Sequence, residues 1–180
     1  MSLKKSRVIA FFGTLVLSFL FHFLYDLFPN FVFSVFFPVN ESIWEHMKIL
    51  YSSIIFYGFI DYFLNKKFSI HYNNFFLNLF IVSFSSVLIY LLIFLPIYFK
   101  IGESMFLSIG LMVIVFVIAY FISYYILKSD EIGFKYLWIS FIILGYFLFG
   151  YLTYNPIHNQ LFFDTHHEIY GIKKRNWLFL

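Results

Sequence analysis

The chain is 180 residues long, 62% hydrophobic and only 12% charged, with a mean hydropathy of +0.87, far from the usage of a water-soluble domain. A net charge of +3 with no long basic run gives nucleic-acid binding little support. The lack of cysteine removes disulfides, thiolate zinc sites and thiol nucleophiles from consideration.

About 20 apolar residues cross a bilayer, and runs of that length occupy most of the chain. They predict an all-α, polytopic transmembrane helix bundle of about five spans, forming one integral membrane domain. Met1 to Arg7 places Lys4, Lys5 and Arg7 ahead of an apolar run. This imitates a signal peptide, but no small-residue cleavage site follows, so it reads as an uncleaved first span over about 8–28.

The next segment, Pro29 to Asn40, is apolar but too short to cross. It reads as an interfacial or re-entrant piece, since irregular backbone in lipid must be covered by protein or by a wet cavity. A second span follows over about 43–64, a third over about 75–97 ending near Pro96, a fourth over about 104–127 and a fifth over about 136–154. The remainder, 155–180, is a polar C-terminal tail expected to pack on one face of the bundle.

Positive residues set the expected orientation. With the N-terminus in the cytoplasm, Lys4, Lys5, Arg7, Lys66, Lys67, Lys128 and Lys135 fall inside, against Lys48 and Lys100 outside. Lys173, Lys174 and Arg175 then count against the assignment, unless the span number is even or the tail folds back.

Placement of polar residues is informative because a charge at mid-helix costs roughly 2.5–3.5 kcal/mol on insertion scales. His22 and Asp26 lie four apart at the end of the first span, and Asn40, Glu41, Ser42, Trp44, Glu45, His46 and Lys48 begin the second. Joined by one short segment, both clusters belong to the same membrane face, and a five-span chain brings His158, Asp164, His166, His167 and Glu168 there too. On a helix turning about 100° per residue, Glu41, Glu45 and Lys48 fall within about 60° of each other. Two carboxylates so placed repel unless a cation or a shared proton lies between them, and Lys48 supplies only part of that compensation.

A capping reading accounts for some of the same residues. Ser42-Ile-Trp-Glu45 is a capping-box pattern, Asn40 is a favoured cap residue, and Trp44 suits an interfacial aromatic. Capping leaves His46, Lys48 and His22 unexplained. The tail's Asp164-Thr-His166-His167-Glu168 is rich in metal donors but lacks a zinc spacing such as His-Glu-x-x-His. Asp61, Asn65 and His71 read as marking the opposite membrane boundary.

The run Phe37-Pro-Val-Asn-Glu-Ser-Ile-Trp-Glu-His-Met-Lys48 resembles the signature of a family of small multi-pass bacterial membrane proteins catalogued only as a domain of unknown function. His22 and Tyr25 match its first-span pattern, and Pro156, Leu161-Phe162, Asp164 and Tyr170-Gly171-Ile172 are similar to its tail. The resemblance covers nearly the full length; it implies membrane topology and a focus on Asn40 to Lys48, and carries no activity.

Three functions compete for these residues. A membrane-partner or assembly protein would use the motif as a polar docking site at the outer face of the cell membrane, with lipids and an unidentified protein as partners. A metal-assisted hydrolase or transferase on a lipid-borne substrate would use His22, Glu41, Glu45 and His46 as acid, base or ligands. Asp164 or His158 would close that site around a divalent metal. A proton or cation transporter would use the same groups as a relay, continued by Asn78, Ser83, Ser85 and Ser86.

Overall fold

A backbone surrounded by hydrocarbon must satisfy its own N–H and C=O groups, and the apolar runs accordingly fold as helices. The computed structural model of the chain describes residues 1–102 and 104–172. Its elements are α1 (Leu3–Leu27), α2 (Phe31–Phe36), α3 (Ile43–Lys67), α4 (Phe75–Ile101), α5 (Met105–Lys128), α6 (Lys135–Tyr154), β1 (Phe163–Asp164) and β2 (Ile169–Tyr170). Five of the helices, α1 and α3 to α6, are long and apolar enough to cross a membrane. The predicted all-α bundle of about five spans is therefore the observed architecture. The tail residues Lys173, Lys174 and Arg175 lie outside the described residues.

Helix pairs α1 with α3, α3 with α4, α4 with α5 and α5 with α1 pack around one core, and α6 lies on α4 with α2 against it. Within its most apolar window α3 is 61% buried, against 17–28% for the other spans, so α3 is the axis on which the bundle is built. Its Met47, Leu50, Tyr51 and Ile54 meet Val82 and Phe94 of α4 and Val115, Phe116 and Ala119 of α5. The outer surface carries exposed Phe12, Phe23, Phe63, Leu92, Phe121 and Phe147, an apolar girdle suited to lipid. Small residues permit close approach: a Cβ on Gly13 would overlap the Tyr57 ring, and one on Gly145 would overlap Tyr51.

Two helix ends extend beyond the expected spans. Helix α1 starts at Leu3, capped by Ser2 Oγ on Lys5 N at 3.4 Å, ahead of the expected start at about 8, so Lys4, Lys5 and Arg7 are helical. Helix α4 runs through Pro96 to Ile101; proline removes one backbone donor, a loss that membrane helices tolerate. Asp61 and Asn65, only 6% and 0% exposed, face inward rather than toward solvent. They join Arg7 in a buried network: the guanidinium pairs with Asp61 and donates to Ser123 Oγ at 3.1 Å, Asn65 Nδ2 donates to Asp61 at 2.8 Å, and Ser6 Oγ donates to Asn65 Oδ1 at 2.6 Å.

Consecutive spans run in opposite directions, so the N-terminus and the α3–α4 and α5–α6 connections share one end of the bundle. The α1–α3 segment, the α4–α5 connection and the tail share the other. The candidate site lies at that second end.

Candidate functional site

Helix α2 and the extended residues after it fold back along the start of α3. Ser42 caps α3, its Oγ accepting from Glu45 N at 3.3 Å. The other half of a capping box is missing, because Ser42 N donates instead to Asn40 Oδ1 at 2.9 Å. Helix α3 begins only at Ile43, which corrects the helical-wheel reading: Glu41 precedes the helix and shares no face with Glu45 and Lys48.

The structure divides the motif's charges into two sets. Glu45 and Lys48 point inward, with side chains 2% and 1% exposed and Nζ to Oε2 at 2.6 Å. The Glu45 carboxylate also accepts from Val39 N at 3.0 Å and from Thr153 Oγ1 of α6 at 2.7 Å. Lys48 Nζ donates to the carbonyl oxygen of Ser34 in α2 at 2.7 Å. The pair therefore ties α2, the linker, α3 and α6 together, and Glu45 stands apart from the imidazoles. Thr153 was invisible from sequence as a partner of Glu45, since nothing in the α6 pattern distinguishes it from the other small polar residues of the spans.

The second set faces outward. Glu41 Oε1 is 3.7 Å from His22 Nε2 and its Oε2 is 3.4 Å from His46 Nε2, while the two imidazole rings are 5.5 Å apart. One donor atom from each of His22, Glu41 and His46 lies within 4.8 Å of the other two. These residues are partly buried, with side chains 27–34% exposed. His46 Nδ1 is 2.9 Å from the Ser42 carbonyl oxygen. A carbonyl only accepts, so Nδ1 carries a proton, and Nε2 is the ring atom turned toward Glu41.

A cavity of about 300 Å³ opens beside this triad, lined by His22, Tyr25, Asp26, Asn40, Glu41 and His167 among others. The tail forms its far wall. Strands β1 and β2 pair antiparallel, Phe163 opposite Tyr170 and Asp164 opposite Ile169. The hairpin is fixed to the motif by Trp44 N donating to Leu161 O at 2.9 Å and by Asn40 Nδ2 donating to Gly171 O at 2.7 Å. Gly171 has φ +64°, and a Cβ there would press on the Thr153 carbonyl, so glycine alone suits the position. Trp44 clasps the tail to α6, its ring centroid 4.9 Å from those of both Phe149 and Phe162.

Asp164 is fully buried and organises this turn instead of joining the triad. Its carboxylate accepts from Glu41 N at 3.0 Å, His166 N at 2.9 Å, His167 N at 3.0 Å and His167 Nδ1 at 2.8 Å. Burial alone would push this carboxyl up, but the four donors outweigh it and hold the pKa below the ordinary carboxylate value. His158 is also apart from the triad, stacked on Tyr170 with ring centroids 4.5 Å apart.

One family model, described as a family of unknown function, DUF6512, matches residues 2–172. The chain belongs to the DUF6512 family. No curated protein and no solved structure matches it. In this DUF6512 chain the matched region takes in all the helices, the triad and the docked hairpin.

Proposed function

We propose that the chain binds one divalent metal ion through His22, Glu41 and His46 and uses it for hydrolysis or group transfer on a lipid-borne substrate. The convergence of those three donor atoms within 4.8 Å carries the reading. Two donors at about 2.0–2.1 Å from a tetrahedral ion stand about 3.3 Å apart; the imidazoles lie 3.7 Å from Glu41 Oε1 and 3.4 Å from Glu41 Oε2, each facing a different oxygen of the carboxylate. Two imidazoles and one carboxylate form a donor set used by catalytic zinc, with a further coordination position open to substrate. That position would face the cavity of about 300 Å³. Such an ion would supply Lewis-acid chemistry, and Asp26 and His167 on the cavity wall are placed to move a proton.

The positive-inside rule supports a cytoplasmic position for the Lys-rich end, and with it a site at the outer leaflet of the cell membrane. The test is turnover of phospholipid and lipid-phosphate substrates by the full chain in mixed micelles, zinc-loaded against metal-stripped, with Glu41→Gln as the comparison. Turnover that needs both the metal and Glu41 supports the proposal. Equal turnover in stripped and loaded protein rejects it.

A partner or assembly role is the second reading, supported by Asn40, Glu45, Lys48 and Asp164 all being engaged in internal bonds, so that most of the motif builds structure. A protein that co-purifies regardless of metal, without turnover, would favour it. Transport finds less support. The hydroxyls of Ser83, Ser85 and Ser86 donate to carbonyls of their own helix at 2.7, 3.3 and 2.6 Å, rather than extending a polar path along α4.

A further inference from the structure

The opposite end of the bundle contains the larger cavity, about 750 Å³, between the end of α3, the α3–α4 connection and the start of α6. We infer that it is a binding site for the phosphate group of an anionic lipid.

Lys66, Lys135 and His71 line the cavity, opposed by Glu131. The two lysines against one glutamate leave a net charge of +1 with the histidine neutral. The starts of α4 and α6 also border it. Asn74 would ordinarily cap α4, but its side chain is diverted: Nδ2 donates to Asp130 O at 2.8 Å and Oδ1 accepts from Ile132 N at 2.8 Å. These bonds pin the α5–α6 connection and leave α4 without a side-chain cap. Phe134, at the N-cap of α6, has no side chain able to cap it. Two helix starts with first-turn N–H groups thus add their positive ends to the lysines. Tyr72 stands on the same wall.

The rest of the lining favours a lipid over a soluble anion. Tyr62, Phe75, Phe76 and Trp138 supply aromatic surface at the depth where such rings meet headgroups. Lysines at a membrane boundary beside a cavity between helices suit a phosphate headgroup, and acyl chains would continue along the exposed apolar flanks of Phe63 and Phe84.

The experiment is native mass spectrometry of the full chain, delipidated and then equilibrated with equal phosphatidylglycerol and phosphatidylcholine. The site predicts preferential retention of phosphatidylglycerol, falling roughly tenfold in Lys66→Gln/Lys135→Gln as charge-assisted bonds are lost. Lys128→Gln removes a lysine at the same end that does not line the cavity and should keep the preference. Equal retention of the two lipids overturns the inference, as does an equal loss in Lys128→Gln, which would reduce the effect to general surface charge. A parallel arm adds inorganic phosphate: failure to displace the lipid supports a lipid site, and displacement at millimolar phosphate reassigns the cavity to a soluble anion.

Discussion

Removing the Lys48 ammonium tests whether the motif's inward half holds the bundle end together. In Lys48→Met a side chain of similar length remains, but the Glu45 carboxylate, 2% exposed, loses its cation. At the observed 2.6 Å and an effective dielectric of about 20, the lost attraction is about 6 kcal/mol. Val39 N and Thr153 Oγ1 still donate to Glu45, which brings the expected destabilisation to about 3–5 kcal/mol, the usual cost of stranding one member of a buried pair. Against a typical total stability of about 5–15 kcal/mol that is a large fraction. The assay is reversible SDS unfolding in mixed micelles followed by tryptophan fluorescence, for which Trp44 between Phe149 and Phe162 is a local reporter. Glu45→Met/Lys48→Met should be less destabilised than the two single changes added together, with a coupling of about 2–3 kcal/mol. Additive singles, or a Lys48→Met protein as stable as the wild type, would refute a structural ion pair here.

Asp164→Ala should strand the N–H groups of Glu41, His166 and His167, at roughly 1–3 kcal/mol for each that is left unsatisfied, and limited proteolysis should then cleave the tail faster. Because the folded-state pKa of Asp164 is lowered, its contribution is complete above the unfolded carboxyl value of about 3.9 and is lost as pH falls through the lower folded value. Protection of the His166 and His167 amides, taken relative to their intrinsic exchange rates, should thus persist at about pH 5 and fall only in stronger acid. Gly13→Ala should force the Tyr57 ring aside and cost about 1–3 kcal/mol in the same SDS assay; no change would mean α1 and α3 are not closely packed there. The cysteine-free sequence makes topology direct to test. A cysteine at Ser69 should react with an impermeant maleimide only after the membrane is opened and one at Asn159 in intact cells, the reverse pattern overturning the proposed orientation.

The fold was largely legible because crossing a bilayer demands length and apolarity, which the sequence displays openly. Helix ends were less so. Pro96 suggested a stop, yet a bilayer-length helix accommodates one missing donor, and Arg7 looked like part of a flank because its partners, Asp61 and Ser123, come from other helices. In the site, chain connectivity put His22, Glu41 and His46 at one end of the bundle, and the structure alone shows them converging. Separating Glu41 from Glu45 was beyond the sequence too, because it depends on α3 beginning two residues after Glu41 and on Thr153 waiting across the bundle. Nor could the sequence reveal that Asp164 spends its carboxylate on backbone N–H groups, since a buried turn-forming aspartate and a metal ligand look alike in one dimension.

Binding of cobalt(II) to the purified full chain, read by its visible d–d absorption and by stoichiometry, tests the central claim most directly. One ion per chain is predicted, with the intense bands of a four- or five-coordinate site. These should be lost in both His22→Ala and His46→Ala while Lys100→Gln binds normally. A wild-type chain that takes up no cobalt, or the two histidine variants binding it as the wild type does, would contradict the account.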